Sequence, residues 1–439
     1  MNVSIISKHI FEQLKGSKLF RDSFWAVFGN GAANVLFLLT GIFIARILGK
    51  DIYGEYGFVK TTMFQIAAFS TFGLGYTSTK FIAQYIVENP SQLKSITKSS
   101  LLISFVTSFI LSLTLIVSAK WVAEFVGHPQ LVQPFKYLGL IVITRALSTV
   151  CTGLISGYKR FYRQGVNHII SGVVMLILAP ILTYKFGLTG SLVALFLSQL
   201  VLSGLHIILL YEIYKELPQS SGDYFGGRLL KFSIPVAMQE LTYAITGWGI
   251  PVLIAKYANL GELGIYSVAA QWDAIILYIP SLLSSVVLSY LSTTSSNVDE
   301  NNKLFNKLLI INFVCVLIPF VIIAICSSLI ASMYGSTFVG LQKVINILVF
   351  STIFTALSRV YQNDMISQGL NWQMFFFRAI RDCLVLISIY IMLRLTAGVN
   401  AAVNYSILMV ICSVIYLLFL SVARYIRVYR ANRSSYLHN

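Results

Sequence analysis

Charge is scarce in this 439-residue sequence: Asp, Glu, Lys and Arg make up 11% of it, against about 25% in soluble domains. Hydrophobic residues make up 57%, and the mean hydropathy is +0.78. Apolar runs of about 20 residues, the length that crosses a bilayer core as a helix, recur from Phe24 to Val422. The scarcity of charge excludes a soluble globular protein. The runs predict an all-α polytopic membrane protein.

Residue types used by soluble enzymes are also few. The five cysteines lie within apolar runs, without the spacing of a metal site or a disulfide framework. The five histidines are scattered, and the motifs of zinc proteases, P-loop proteins and serine hydrolases are absent. We therefore expect no enzyme, no metal and no cofactor. The net charge of +16 would suggest nucleic acid for a soluble protein, but the basic residues separate the apolar runs, so no nucleic-acid partner is expected.

Hydropathy predicts about twelve membrane-spanning helices. They lie at about 24–45, 57–77, 101–119, 135–156, 165–184, 188–211, 232–255, 265–291, 308–330, 344–363, 374–393 and 400–422. About two thirds of the 32 Lys and Arg residues fall on the side of the N-terminus, and basic residues stay on the cytoplasmic side. Both termini are therefore predicted to be cytoplasmic.

An internal repeat relates the two halves of the chain. Ile44-Ala45-Arg46 and Gly54-Glu55-Tyr56 match Ile254-Ala255-Lys256 and Gly264-Ile265-Tyr266 at an offset of 210 residues. Each copy holds six predicted helices, so the copies enter the membrane with the same polarity, as parallel repeats do. Two pseudo-symmetric six-helix lobes around a central cavity are predicted. The predicted boundaries are an interfacial cytoplasmic segment at 1–23, the N-lobe (helices 1–6) at 24–211, a cytoplasmic linker at 212–231, the C-lobe (helices 7–12) at 232–422 and a basic cytoplasmic tail at 423–439.

Three segments resemble a known family. Ile44–Tyr56 is similar to the hallmark of polysaccharide flippases in the multidrug/oligosaccharidyl-lipid/polysaccharide exporter superfamily. Phe72-Gly73-Leu74-Gly75 and Tyr334-Gly335-Ser336-Thr337-Phe338 also resemble the pattern of that family. One departure is Lys80, where family members commonly carry arginine. Because lysine lacks the bidentate geometry of arginine, a direct phosphate role at this position is not expected.

The resemblance implies a flippase of the bacterial inner membrane. It implies transfer of undecaprenyl-pyrophosphate-linked O-antigen or capsule repeat units from the cytoplasmic to the periplasmic leaflet. The two-lobe architecture suits alternating access, and acids within the spans are candidates for coupling transfer to a proton or Na⁺ gradient. The implied partners are the lipid-linked oligosaccharide, membrane lipids, and the polysaccharide polymerase with its chain-length machinery. Moving the charged pyrophosphate headgroup through the hydrocarbon core without water or counter-charges would cost tens of kcal/mol by a Born estimate. We therefore expect a water-filled, cationic cavity.

Three basic residues fall within predicted spans: Lys60, Arg145 and Arg359. Arg145 is nearest the middle of its helix, where an arginine costs roughly 3 kcal/mol or more. It is a candidate for binding pyrophosphate through paired hydrogen bonds. The alternative is a structural ion pair with Glu240 or Asp273. Arg359 and Lys60 lie nearer helix ends, where each could either face the cavity or extend to the interface.

Two acids, Glu240 and Asp273, lie deep in the predicted seventh and eighth helices. Acids at that depth are candidates for carrying a coupling ion, and the alternative is charge pairing with Arg145 or Arg359. Aromatic residues share this region and are candidates for stacking on sugar rings, although packing is the more common role. They are Tyr243, Trp248, Tyr266 and Trp272.

Other functions remain open from the sequence. A drug/cation antiporter or a lipid II flippase of the same superfamily would share the two-lobe plan. The former should have acidic spans, and the latter usually carries two further C-terminal helices. A membrane enzyme of O-antigen polymerisation or ligation would need a large periplasmic loop, which the predicted topology lacks. A structural scaffold would need no charges within the spans.

Overall fold

Nearly all of the described chain is helical, because apolar segments in lipid must satisfy their backbone hydrogen bonds internally. The computed structural model describes residues 18–219, 225–293 and 298–437. The helices are α1 Lys18–Ser70, α2 Leu74–Glu88, α3 Leu93–Val126, α4 Val132–Gly157, α5 Phe161–Glu216, α6 Gly226–Tyr257, α7 Leu260–Ile276, α8 Tyr278–Thr293, α9 Val298–Met333, α10 Leu341–Ser367, α11 Asn371–Leu395 and α12 Ala401–Leu437. Short 3₁₀ turns at Pro90–Gln92 and Pro129–Leu131 precede α3 and α4.

Seven helices in the described ranges are long and apolar enough to cross a membrane, and the bent pair Leu260–Ile276 and Tyr278–Ser284 adds an eighth. Two of the seven, with 44 and 56 residues, are more than twice as long as one crossing requires. Each is interrupted by a glycine with a non-helical backbone, Gly49 (φ 71°) in α1 and Gly187 (φ 57°) in α5. If each of these two long helices crosses the membrane twice, and α6 and α11 each cross once, the described helices fit the predicted layout of twelve spans.

The breaks between helices repeat along the chain. Helix α4 ends at Gly157 and α10 ends at Ser367, an offset of 210 residues. Three further irregular positions obey the same offset. They pair as Gly49 with Asn259, Lys159 with Gly369, and Gly187 with Ala397. These backbone irregularities therefore follow the offset of the repeat predicted from a few short matches.

Two predicted spans differ from the structure in their extent. The second was predicted to end at 77, but the chain turns at Phe72 and Gly73, both with positive φ, and continues as α2 to Glu88. The eighth was predicted as one helix at 265–291, but it bends by 46° between α7 and α8. Hydropathy does not predict these two breaks, because the residues at the bends are as apolar as their neighbours.

The described residues form two compact units by their internal contacts. The first comprises the residues up to Leu48 together with Val59–Trp248, and the second comprises Gly49–Phe58 and the residues from Gly249 onward. The lobe, linker and tail boundaries remain predictions.

In the first unit, small residues bring α2 and α4 together. A Cβ on Gly153 would collide with the backbone of Gly75, and Thr79 Oγ1 donates to the Gly153 carbonyl at 2.7 Å. A Cβ on Gly157 would meet Ile82 at 2.7 Å. The GxxxG pair Gly153 and Gly157 is therefore a packing motif, as this spacing generally is in membranes.

In the second unit, the two copies of the repeated motif cross each other. A Cβ on Gly54 would collide with the Leu260 carbonyl, and a Cβ on Gly264 would collide with the Lys50 carbonyl. Since 54 and 264 are equivalent positions of the repeat, each copy supplies the glycine that admits the other's backbone. This contact explains the recurrence of Gly-x-Tyr in both halves.

The third family-like segment packs on the same crossing. Thr337 lies beside Gly49, where a Cβ would be 3.6 Å from its Oγ1. The rings of Tyr53 and Phe338 meet edge to face at 6.0 Å between centroids, and Gln271 Nε2 donates to Tyr53 Oη at 2.5 Å. The residues that carry most of the family resemblance thus build the core of the second unit.

We expect Gly264→Ala to destabilise the protein by about 1–3 kcal/mol, because the added methyl group overpacks a backbone contact. The matched control is Gly204→Ala, where a Cβ meets nothing within 4 Å and a better helix former replaces glycine. Thermal unfolding in detergent measures both variants. Equal midpoints for the two would contradict the crossing.

Candidate functional site

Arg145 lies on α4 in the first unit, and its side chain is half-buried. The guanidinium carbon is 4.8 Å from the centre of the Phe64 ring, and Nη1 donates to Gln199 Oε1 at 3.5 Å. A ring face and a neutral amide therefore hold this cation. Among the described residues of the unit, the salt bridges of arginine are those of Arg160 and Arg163, so the charge of Arg145 is not neutralised by a described carboxylate there.

Two histidines lie in the same neighbourhood. The rings of His168 and His206, both on α5, meet edge to face with centroids 5.2 Å apart. The charge of Arg145 acts on both rings. Among the described residues, His168 Nε2 has no hydrogen-bond partner. Arg145 thus lies within electrostatic range of two histidine rings.

The second unit holds the other pair of predicted charges. Asp273 on α7 and Arg359 on α10 are both half-buried, and the charge of Arg359 acts on the Asp273 carboxyl group. Both the ion-coupling and the charge-pair interpretation of Asp273 are compatible with this proximity. The two candidates are therefore close enough for their charges to interact, and their roles remain predictions.

The aromatic candidates of this unit already have aromatic partners. Tyr266 meets Tyr405 edge to face, with 5.0 Å between the ring centroids. Trp272 Nε1 donates to Tyr334 Oη at 3.1 Å. Tyr405 was not recognised from the sequence, because one tyrosine among the 24 in the chain gives no signal without its partner.

The remaining candidates are placed as follows. Lys60 is half-buried on the part of α1 that belongs to the first unit. Trp248, on α6, donates from Nε1 to Thr62 Oγ1 at 3.0 Å, also within the first unit. Glu240 and Tyr243 lie on α6, but their side chains are outside the described residues, so their roles remain predictions.

The structure also shows buried ion pairs that sequence reasoning missed. Asp364, at the end of α10, is fully buried and pairs with both Arg424 and Arg427 of α12. Asp382 on α11 pairs with Arg381 at 2.5 Å. Arg424 and Arg427 were assigned to the cytoplasmic tail because they follow the last apolar run. Since their partner is distant in sequence, only the fold shows that they are held.

The fold is that of a multi-pass membrane transporter. A multidrug resistance MATE family transporter of the MOP superfamily, solved in an inward-facing conformation, superposes with a TM-score of 0.76 at 15% identity, covering 92% of this chain and 96% of that one. Lipid II flippase MurJ in an inward closed conformation gives 0.67 at 15% identity, covering 89% and 85%. A MOP superfamily transporter from Pyrococcus furiosus gives 0.61 at 16% identity, covering 93% and 94%. At 15–16% sequence identity, these structural similarities establish the fold alone.

The sequence matches the model of the family described as "Polysaccharide biosynthesis protein" over residues 43–316. The chain belongs to this family, which confirms the resemblance drawn from its motifs. The curated Succinoglycan biosynthesis transport protein ExoT of Rhizobium meliloti (strain 1021) is 26% identical over 265 residues. That match covers 58% of this chain and 50% of the relative, so the chain spans about half of that protein's length. The relatives are named for transport, in agreement with the expectation of a non-enzyme.

We expect Arg359→Gln and Asp273→Asn to be coupled in stability. Removing Arg359 leaves the carboxylate without its neighbouring cation, and removing Asp273 as well relieves that cost, so the coupling energy should be about 0.5–3 kcal/mol. Single and double variants are compared by thermal unfolding in detergent.

The control cycle uses the solvent-exposed pair Arg163 and Glu212, for which a coupling of about 0–1 kcal/mol is expected. Additive effects at Arg359 and Asp273 would show that the two charges act independently.

Proposed function

We propose that the protein transfers undecaprenyl-pyrophosphate-linked oligosaccharide repeat units from the cytoplasmic to the periplasmic leaflet of a bacterial inner membrane by alternating access. The family and the transporter fold support movement of a polysaccharide precursor. The lipid II flippase and the MATE transporters share that fold, so the choice among substrates depends on the charges within the spans.

The observation that carries this proposal is the environment of Arg145. A cation held by a ring and an amide, in a unit where no described carboxylate pairs with it, retains its attraction for an anion. A guanidinium binds phosphate oxygens through paired, charge-assisted hydrogen bonds. Arg145 is therefore the proposed pyrophosphate-binding residue, with Lys60 and Arg359 as additional candidates. A drug-cation exporter would gain nothing from such a residue.

The aromatic groups support a narrower proposal about the sugars. Tyr266 and Trp272 are held rigidly by Tyr405 and Tyr334, and Trp248 is held by Thr62. Rings fixed in this way lose little entropy on contact with a sugar. These side chains, together with Tyr243, are proposed to contact the oligosaccharide.

Coupling to a proton or Na⁺ gradient is assigned to Asp273. The affinity of a half-buried carboxylate for a proton or Na⁺ depends on its exposure to water and on the nearby charge of Arg359. A change in either during transport would change that affinity. Glu240 is the second candidate. The polysaccharide polymerase and its chain-length machinery are proposed as partners that receive the transferred unit, and both termini are proposed to be cytoplasmic.

Arg145→Ala should abolish surface polysaccharide when it replaces the wild-type gene, because the pyrophosphate loses its cation. Lipid-linked repeat units should accumulate on the cytoplasmic leaflet. Arg145→Lys should restore transport partly, since charge is kept and the forked geometry is lost. The assay is complementation of a deletion strain, with protein levels matched by immunoblot.

The control for this experiment is Arg394→Ala, which removes the same charge from an exposed position at the end of α11. It should complement fully. Full rescue by Arg145→Ala would remove Arg145 from the mechanism.

Asp273→Asn should remove the response of transport to an imposed ion gradient, because an amide binds neither a proton nor Na⁺ at this position. The measurement is transfer of a fluorescent lipid-linked oligosaccharide in proteoliposomes, with a proton or a Na⁺ gradient applied in separate runs. A variant that still accelerates under either gradient would exclude Asp273 as the coupling residue.

A further inference from the structure

A cavity of about 360 Å³ lies among α10, α11 and α12 of the second unit. Its apolar lining includes Met365, Leu370, Phe377 and Leu420, and the same cavity presents the side chains of Arg424 and Arg427. Ligand sites typically begin at about 300 Å³ and combine apolar walls with a few polar groups. We refer to this space as the Arg427 cavity.

The two arginines differ in how many of their hydrogen-bond donors have partners. Arg424 donates from Nε to Asp364 Oδ2 at 3.2 Å and from Nη2 to Asn302 Oδ1 at 2.8 Å, and its guanidinium lies 3.6 Å from the centre of the Phe305 ring. Arg427 donates from Nη2 to the same Asp364 oxygen. Among the described residues, its Nε has no hydrogen-bond partner. Arg424 thus uses both Nε and Nη2 in hydrogen bonds, whereas Arg427 uses Nη2 alone among the described residues.

Among the described residues, the charges at the cavity do not balance. Asp364 is fully buried and is the carboxylate that pairs with the two arginines, which leaves one positive charge over. A surplus cation next to an apolar wall is expensive unless an anion accompanies it. An anion that also carries hydrocarbon would match both the surplus charge and the apolar lining.

The position along the helices agrees with the headgroup level of a bilayer. Arg424 follows directly after the apolar run that ends at Val422. Large aromatic side chains at the same ends of α11 and α12 are exposed, among them Trp372 at 74% and Tyr425 at 72%. Trp and Tyr collect at the membrane–water interface, so the cavity lies where phospholipid headgroups are.

We propose that the Arg427 cavity binds an anionic phospholipid, with its phosphate on Arg427 and an acyl chain along Met365, Leu370, Phe377 and Leu420. Basic pockets between membrane helices bind lipid headgroups in this way. The site is independent of the proposed substrate transfer, since it uses neither Arg145 nor Asp273. A bound lipid would join α10, α11 and α12 at the end of the second unit.

Native mass spectrometry of the full-length protein in detergent tests this site, with phosphatidylglycerol and phosphatidylcholine as probes. The wild type should retain phosphatidylglycerol about tenfold better, the preference expected from one charge-assisted contact. Arg427→Gln should remove the preference. Ala423→Phe, which fills the cavity and leaves both arginines in place, should do the same, so a folding defect of one variant does not decide the result.

Lys307→Gln is the matched control, because Lys307 is exposed near the start of α9 and is absent from the cavity lining. It should keep the wild-type preference. Equal retention of both lipids by the wild type, or an unchanged preference in Arg427→Gln or Ala423→Phe, would overturn the proposal. Displacement of phosphatidylglycerol by millimolar inorganic phosphate would overturn the assignment to a lipid and identify a free-phosphate site.

Discussion

The close approach of two helices at Gly54 and Gly264 is the contact on which the second unit depends. Each glycine lies against the other helix's backbone, so neither position tolerates a side chain. The crossing sets the height and rotation of α7, and therefore the places of Tyr266 and Asp273, which follow Gly264 on the same helix. The polar and aromatic groups proposed to act in transport are therefore positioned by a packing contact between glycines and backbone, which has no proposed role in transport itself.

The same contact explains why a packing motif identifies a family. In the first half of the sequence, Gly49 lies beside Thr337, Tyr53 meets Phe338, and Gly54 lies against Leu260 and Gly264. A side chain at Gly54 or Gly264 would have to be accommodated by backbone. Residues that touch a variable oligosaccharide face no such constraint, which is why the family resemblance says more about architecture than about the sugar.

Membrane charges in this protein are compensated in two different ways. Asp364 and Asp382 form ion pairs with arginines, which lowers the cost of burial. Arg145 is held by the face of Phe64 and the amide of Gln199, and no carboxylate of the described residues neutralises its charge. This difference separates the structural ion pairs from a candidate binding residue more clearly than burial does. Asp364 is 60 and 63 residues from Arg424 and Arg427, and Gln199 is 54 residues from Arg145, each on a different helix. Because local patterns in a sequence do not show such distant contacts, the sequence did not indicate them.

Hydropathy was sufficient to predict the helical class, which follows from local composition, and the described helices fit the predicted span layout and the offset of 210 residues. The bends at Phe72–Gly73 and Leu277, and the partners of Arg145, depend on tertiary contacts. The most direct test of the central claim, that Arg145 receives the pyrophosphate, is photo-crosslinking of purified protein with an undecaprenyl-pyrophosphate analogue carrying its reactive group beside the phosphates. The account predicts labelling of the peptides that contain Phe64, Arg145 and Gln199, with competition by unlabelled lipid. Labelling that avoids all three peptides would contradict it.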